Sequence, residues 1–382
     1  MSESLKLFVA SGIFHPEAGG PATYLYELLP ELVRAGWEVR VQAYGSRVSQ
    51  RYAYPLTRIP RRALPFRLAH YAWAARPQLS WADVVYIHTL DLPLFGSRRA
   101  PRIAKIVGDQ AWERSIRKGW IAPTEDIDIF QHTTYSPIVS AQQSLRAIEV
   151  RRMDGVIVPS EYLKRMVVGW GVPPERVQVI YNALPPDHAA PDLSQADARA
   201  QLGLSSQPLL LTAARLTPWK GVDHLIGALT HVADVHLLVA GDGDQMGVLK
   251  AQAEQSGLDK RVTFLGRVGR DQMGLYMKAA DYLVLYSGYE GLSHTLLESL
   301  RAATPVIASD KGGNPEVVQH GVNGLLVDYV NVEALTAALR EAFQPGRREA
   351  FAAKAAVGME RFDFRHMVSQ TSAALTAYRN GR

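Results

Sequence analysis

Glu290 and Glu298 bracket the stretch Glu290-Gly291-Leu292-Ser293-His294-Thr295-Leu296-Leu297-Glu298, which sets two acids around a run of backbone amides. An apolar, strand-like run from Tyr282 to Tyr286 feeds it, and a second from Pro305 to Ser309 follows. Between them, Ser293 to Ala303 has the one-turn apolar spacing of a helix (Leu296, Leu297, Leu300), with Ser293 suited to its N-cap. This order predicts a parallel βαβ unit whose crossover helix starts at the carboxyl end of a strand. Ligands of open α/β sheets collect at that end, and the unpaired amides of a helix N-terminus favour an anion. Carboxylates beside such amides suit a molecule with both hydroxyls and phosphates, such as a nucleotide sugar.

Cations that could meet those phosphates lie upstream. Arg215 and Lys220 flank the turn Leu216-Thr217-Pro218-Trp219, which runs from the predicted strand Pro208–Ala213 into a predicted helix from Val222 to Val232. Two cations at a helix N-terminus can clamp a diphosphate, although an Arg and a Lys in a loop can equally be solvated. In the first half, Leu7–Ala10 reads as a buried strand and Ala22–Arg34 as a helix, with Gly19-Gly20 between them. Paired glycines let backbone approach a phosphate, or simply make a turn. Their spacing is not the Gly-x-Gly-x-x-Gly of dinucleotide binders, so NAD is not indicated. Two further strands end in polar residues: Asp83–His88 in His88, and Arg102–Asp109 in Asp109, followed by Trp112. These place His88, Asp109 and Trp112 at the ligand edge of a first sheet. His88 also fits a hydrogen-bonded structural role.

The elements that must position these residues form one repeated alternation of strand and helix. It runs through the strands Gly155–Val158 and Val177–Asn182, pauses over the Pro-, Asp- and Ala-rich residues 183–207, then starts afresh. The predicted organisation is a first domain over 1–185, a second over 186–365, and a C-terminal helix over 366–382 that packs back on the first. Residues 44–82 look least regular, with seven arginines (47, 51, 58, 61, 62, 67, 76) among aromatic residues. That pattern suits a membrane-facing or acceptor-binding surface better than nucleic acid, for which no motif accompanies it.

Composition agrees with an ordinary soluble globular protein: 47% hydrophobic and 21% charged over 382 residues. There is no Cys, which excludes disulfides, thiolate metal sites and a Cys nucleophile and suits a reducing cytoplasm. The net charge of +5 is uneven: residues 1–182 hold 23 Lys and Arg against 16 Asp and Glu, and the remainder 19 against 21. A basic first half can attract an anionic membrane surface or a phosphorylated acceptor.

Taken in order, "VIVPSEYLK" at 156–164, "VIYNAL" at 179–184, "AARLTPWKGVDHLI" at 213–226, "VAGDGD" at 239–244, "EGLSHTLLESL" at 290–300 and "GGNPEVV" at 312–318 resemble the retaining glycosyltransferases of family 4, over nearly the full length. The resemblance implies an α/β GT-B fold, two Rossmann-like domains facing each other across a cleft, with a nucleotide-diphosphate sugar held by the second. It implies diphosphate contacts from Arg215 and Lys220, a sugar contact from Glu290 and a ribose contact from Glu298. It implies amides of Leu292, Ser293, His294 and Thr295 at the phosphates or sugar, Gly19 and Gly20 approaching from the first domain, and Arg267 and Val268 at the base. No metal and no cofactor are implied, and no Asp-x-Asp motif stands out. Members commonly carry a His where this chain has Gly108-Asp109, so Asp109 becomes the expected contact to the reacting sugar or acceptor. The expected partners are the donor and a saccharide or lipid-linked acceptor, with peripheral contact to an anionic membrane on the cytoplasmic face and no nucleic acid. The alternatives are a nucleotide-sugar epimerase of the same fold, a phosphorylase with a Lys-bound pyridoxal phosphate, or a nucleotide-sugar-binding partner without turnover, against which the Glu, Arg and Lys set argues.

Overall fold

The computed structural model describes residues 4–17, 19–188 and 190–381. Short, wholly apolar strands such as Val84–Ile87 and Gly155–Val158 are buried along their whole length, as expected of parallel sheets covered on both faces. There are two such sheets. The first holds β1 (Lys6–Ser11), β2 (Glu38–Tyr44), β3 (Leu56–Ile59), β4 (Val84–Ile87), β5 (Arg102–Lys105), β6 (Gly155–Val158) and β7 (Val177–Val179) in the order β3-β2-β1-β4-β5-β6-β7. The second holds β8 (Leu209–Ala213), β9 (His236–Ala240), β10 (Val262–Gly266), β11 (Tyr282–Leu285), β12 (Val306–Ser309) and β13 (Gly324–Val327) in the order β10-β9-β8-β11-β12-β13. All pairings are parallel. In each sheet the strand order reverses once, between β1 and β4 and between β8 and β11. Ligands of doubly wound sheets bind at such a reversal.

In the first unit the helices are α1 (Gly20–Arg34), α2 (Leu64–Trp81), α3 (Gln110–Arg117), α5 (Pro137–Arg151), α6 (Glu161–Gly169) and α14 (Phe364–Asn380); α4 (Ile127–His132) starts in the second unit and ends in the first. The second carries α7 (Gln195–Gln201), α8 (Val222–Leu229), α9 (Met246–Gln255), α10 (Arg270–Ala279), α11 (His294–Arg301), α12 (Val332–Ala342) and α13 (Arg347–Ala352). Packing divides the chain into one unit of residues 1–120, 131–182 and 364–382 and another of 121–130 and 183–363. In the first, α14 is tied down by Trp37 Nε1, which donates to Ser372 Oγ at 2.9 Å, and by Tyr378, whose hydroxyl donates to the Arg176 carbonyl. In the second, Lys311 pairs at 3.3 Å with Asp126 of the 121–130 segment.

Residues 44–82 are more regular than their sequence suggests, since they hold β3 and the whole of α2. The helix buries Tyr71, Ala75 and Leu79 at four-residue spacing while leaving Leu64, Phe66 and Trp73 exposed. Apolar side chains on both faces erase the 3.6-residue signal, and Pro65 and Pro77 read as breaks.

Candidate active site

The second sheet brings the upstream cations and the first of the two glutamates to its reversal. After β8 the chain passes Arg215 and turns through a short 3-10 helix, Pro218–Lys220. Gly221 then enters α8 at φ 62°, and a Cβ there would collide with the Tyr286 carbonyl oxygen. Only glycine lets this turn settle on the end of β11. The Gly288 amide donates to the Trp219 carbonyl at 2.8 Å, stitching the loops after β8 and β11 together. Lys220 Nζ donates to Glu290 Oε1 at 2.5 Å, with both side chains largely buried.

The loop after β12 supports this pair from beneath. Gly313 N donates to the Glu290 carbonyl at 2.8 Å, and Cβ atoms at Gly312 and Gly313 would strike the carbonyls of Glu290 and Gly291. Below lies a buried polar group that the sequence reading did not single out. Ser309 Oγ donates to the Ser287 carbonyl, Asn314 Nδ2 reaches Ser309 Oγ at 3.0 Å, and Ser287 Oγ and Asn314 Oδ1 have no hydrogen-bond partner. Its local signal was only a Ser at the end of each strand and the Asn of Gly-Gly-Asn.

Ser293 caps α11 by accepting from the Leu296 amide at 3.3 Å. Leu296, Leu297 and Leu300 are at most 2% exposed, each contributing roughly 1.5–3 kcal/mol of burial that fixes the helix on its sheet. Leu292 and Ser293 are buried, whereas His294, Thr295 and Glu298 are half-buried. Arg301, three residues beyond Glu298, donates to the carbonyls of Leu184 and Pro185. Arg215 is exposed and has no ion-pair partner among the described residues. Arg267, 80% exposed, pairs with Asp242 at 3.2 Å, beside the half-buried Val268.

The first unit places its expected residues differently. Gly19 and Gly20 are exposed where α1 begins, and a Cβ on Gly20 would meet open space. His88 lies only 5% exposed, its ring edge-on to Tyr86 at 4.3 Å; burial, and then the neighbouring Lys105, push its pKa well below the ordinary value. Trp112 is 1% exposed. Asp109 is 0% exposed and caps α3: Oδ1 accepts from the amides of Ala111 and Trp112, and Oδ2 from Gln131 Nε2 at 2.9 Å and from Arg146. Arg146 stacks over Trp170, whose indole N–H donates to Gln131. These bonds make Asp109 a buried helix cap and the counterion of Arg146. His88 and Trp112 are buried as well. Among the described residues no three His, Asp or Glu side chains converge as metal ligands.

Two parallel sheets with one reversal each are the two Rossmann-like sheets of a GT-B fold, and solved GT-B structures superpose on the chain. The chain superposes on sucrose-phosphate synthase from Thermosynechococcus elongatus with a TM-score of 0.79, at 22% identity, over 99% of this chain and 100% of that one. HepE from Anabaena, solved with UDP-glucose, gives 0.78 at 21% identity over 98% and 100%. Residues 18–188 match the family model Glycosyltransferase Family 4, and residues 194–356 match Glycosyl transferases group 1. The chain therefore belongs to the family 4, group 1 glycosyltransferases. A GDP-mannose-dependent alpha-(1-6)-phosphatidylinositol monomannoside mannosyltransferase of Mycolicibacterium smegmatis is 26% identical over 363 residues, 90% of this chain and 91% of that protein. Glycosyltransferase MJ1607 of Methanocaldococcus jannaschii is 32% identical over 209 residues, and that match spans 54% of its length.

Proposed function

We propose that the protein transfers a sugar from a nucleotide-diphosphate sugar to a hydroxyl of a saccharide or lipid-linked acceptor, with retention of anomeric configuration, in the synthesis of a cell-surface polysaccharide, glycolipid or glycoconjugate. The observation that carries this is the Lys220–Glu290 pair at the second sheet's reversal, beside the capped N-terminus of α11. An ammonium has three donors, so Lys220 can hold Glu290 and still reach a phosphate oxygen. Arg215, exposed and without an ion-pair partner, supplies a second cation. Amides of Leu292 to Thr295 face the phosphates or sugar, Glu290 takes sugar hydroxyls, Glu298 the ribose, and Arg267 and Val268 the base. The relative named for GDP-mannose and the neighbour solved with UDP-glucose support a nucleotide-sugar donor.

Loss of the nucleoside diphosphate builds negative charge on its oxygens. Fixed cations and amides stabilise that charge as it develops, which lowers the barrier more than it strengthens ground-state binding. The same oxygens lie against the oxocarbenium-like sugar and can take the acceptor's proton on the face the leaving group vacates, which gives retention without a metal. Absence of Cys fits a reducing cytoplasm, and the basic first half fits peripheral contact with an anionic membrane. No helix among the described residues is long and apolar enough to cross a membrane.

The test is a thermal-shift screen of nucleotide sugars, in which a binder stabilises by mass action. Transfer from the hit to an acceptor panel, with and without chelator, then follows with the product anomer assigned by NMR. An inverted product would sink retention. Conversion of the donor without any acceptor would favour an epimerase, and loss of transfer with chelator would overturn metal independence.

A further inference from the structure

The β4–β5 connection, residues 88–101, contains no helix, and beside it lies a groove of about 1020 Å³ between α2 and α5. Leu68, Ala72, Trp73, Leu94, Phe95 and Ile148 line it. Trp73 and Phe95 are 71% and 68% exposed, against the rule that large apolar side chains gather inside. Leu64 and Phe66, also exposed, extend the apolar surface along α2.

Cations set the groove's polarity. Arg76, Arg98, Arg102 and Arg152 line it, against two carboxylates, Asp91 and Glu149. Asp91 pairs with Arg114, and both Glu149 oxygens accept from the Asp91 amide, at 2.9 and 3.0 Å. Burial raises the Glu149 pKa to about 7, which weakens its charge further. Arg102 is 9% exposed, yet among the described residues its guanidinium reaches only the Ser97 carbonyl at 3.3 Å and its Nε has no hydrogen-bond partner. Asp154 accepts from the Arg102 backbone amide at 2.8 Å and adds a favourable charge, but no carboxylate forms an ion pair with the guanidinium among the described residues. A buried guanidinium that closes no ion pair can take an anion.

We propose that this groove binds one anionic phospholipid of a bilayer, its phosphate at Arg102 and Arg98 and an acyl chain along Trp73, Phe95 and Ile148. A free phosphate would satisfy the arginines but leave the apolar walls in water. A neutral lipid would leave Arg102 unpaired. One buried chain gives only marginal attachment, so the arginine rim is the second signal that makes it stable. This deepens the membrane contact suggested for the enzyme and gives it an address in the first unit, on residues assigned no part in donor binding.

The test is co-sedimentation of the full chain with phosphatidylcholine vesicles and with vesicles that also contain phosphatidylglycerol. At least tenfold tighter binding to the phosphatidylglycerol vesicles is expected, undiminished by free glycerol phosphate. The double variant Trp73→Ser/Phe95→Ser should lose at least tenfold of that binding, and Arg102→Gln should lose the preference for phosphatidylglycerol. Because Arg102→Gln could disturb folding, Arg98→Gln/Arg152→Gln at the exposed rim serves as its companion and should also lose preference. Equal binding to both vesicle types, or wild-type binding by the double variant, overturns the proposal. Competition by glycerol phosphate would assign the arginines to a soluble phosphate instead, which also overturns it. The nucleotide-sugar thermal shift is read separately in every variant, so failure of the lipid site is distinguishable from failure of the transferase reading.

Discussion

Lys220 and Glu290 stand 70 positions apart in the chain and 2.5 Å apart in space. The chain meets itself there because β8 and β11 are neighbours at the reversal of the second sheet, and a turn after each carries one partner. In Lys220→Ala and in Arg215→Ala, kcat should fall on the order of 10²–10³-fold, as for the loss of one preorganised donor to a developing oxyanion. Steady-state rates on variants with unchanged circular dichroism decide it, and unaltered turnover would remove both cations from the mechanism.

Asp109 should matter for stability more than for donor contact. Asp109→Ala leaves Arg146, only 8% exposed, without its counterion and removes the cap of α3. Breaking such a pair costs about 3–5 kcal/mol. Urea denaturation should show that loss, while the nucleotide-sugar thermal shift persists. Native stability combined with lost turnover would return Asp109 to the reacting sugar.

Two buried groups give the first unit an unusual pH profile. Burial lowers Lys105 to about 7 and raises Glu149 to about 7. Between about 4.5 and 7, Glu149 holds its proton in the folded state and has lost it in the unfolded state, so its contribution falls as pH rises. Between about 7 and 10.5, Lys105 is neutral when folded and charged when unfolded, so its contribution rises. Each slope is at most ~1.4 kcal/mol per pH unit. Denaturation midpoints across pH should therefore dip near neutrality; Glu149→Gln should flatten the acid limb and Lys105→Met the alkaline one. An unchanged profile in both variants would show that neither group titrates as described.

Gly221→Ala should separate donor binding from folding. The left-handed backbone costs a non-glycine residue about 1–3 kcal/mol, and the new methyl group would strike the Tyr286 carbonyl. The turn carrying Lys220 would shift, so donor affinity should fall by more than tenfold, the order of 1.4 kcal/mol. Calorimetric titration with the donor identified in the screen measures this, and wild-type affinity would mean the turn tolerates the methyl group.

Local features were readable from sequence wherever local chemistry decides them. Ser293 sits before an apolar helical repeat and does cap α11; Val222 does begin a helix. Strand neighbours were not readable, because β8 pairs with β11 across two intervening strands. The partners of Asp109 were not readable for the same reason: Gln131 and Arg146 lie 22 and 37 residues on, and nothing near Gly108 announces them. The helix α2 escaped notice because Trp73 and Phe66 keep apolar surface on its outer side, the property that also makes the groove beside it a candidate lipid site.

Residues 121–130 group with the second unit although the chain on either side of them belongs to the first, and α14 returns to the first after the second is complete. A gene fragment ending at residue 182 would therefore encode neither unit whole: it would lack the closing helix of one and carry a stranded piece of the other. Dissecting this enzyme into separately expressed halves calls for a rearranged reading frame, with 364–382 joined to the first half and 121–130 grafted onto the second.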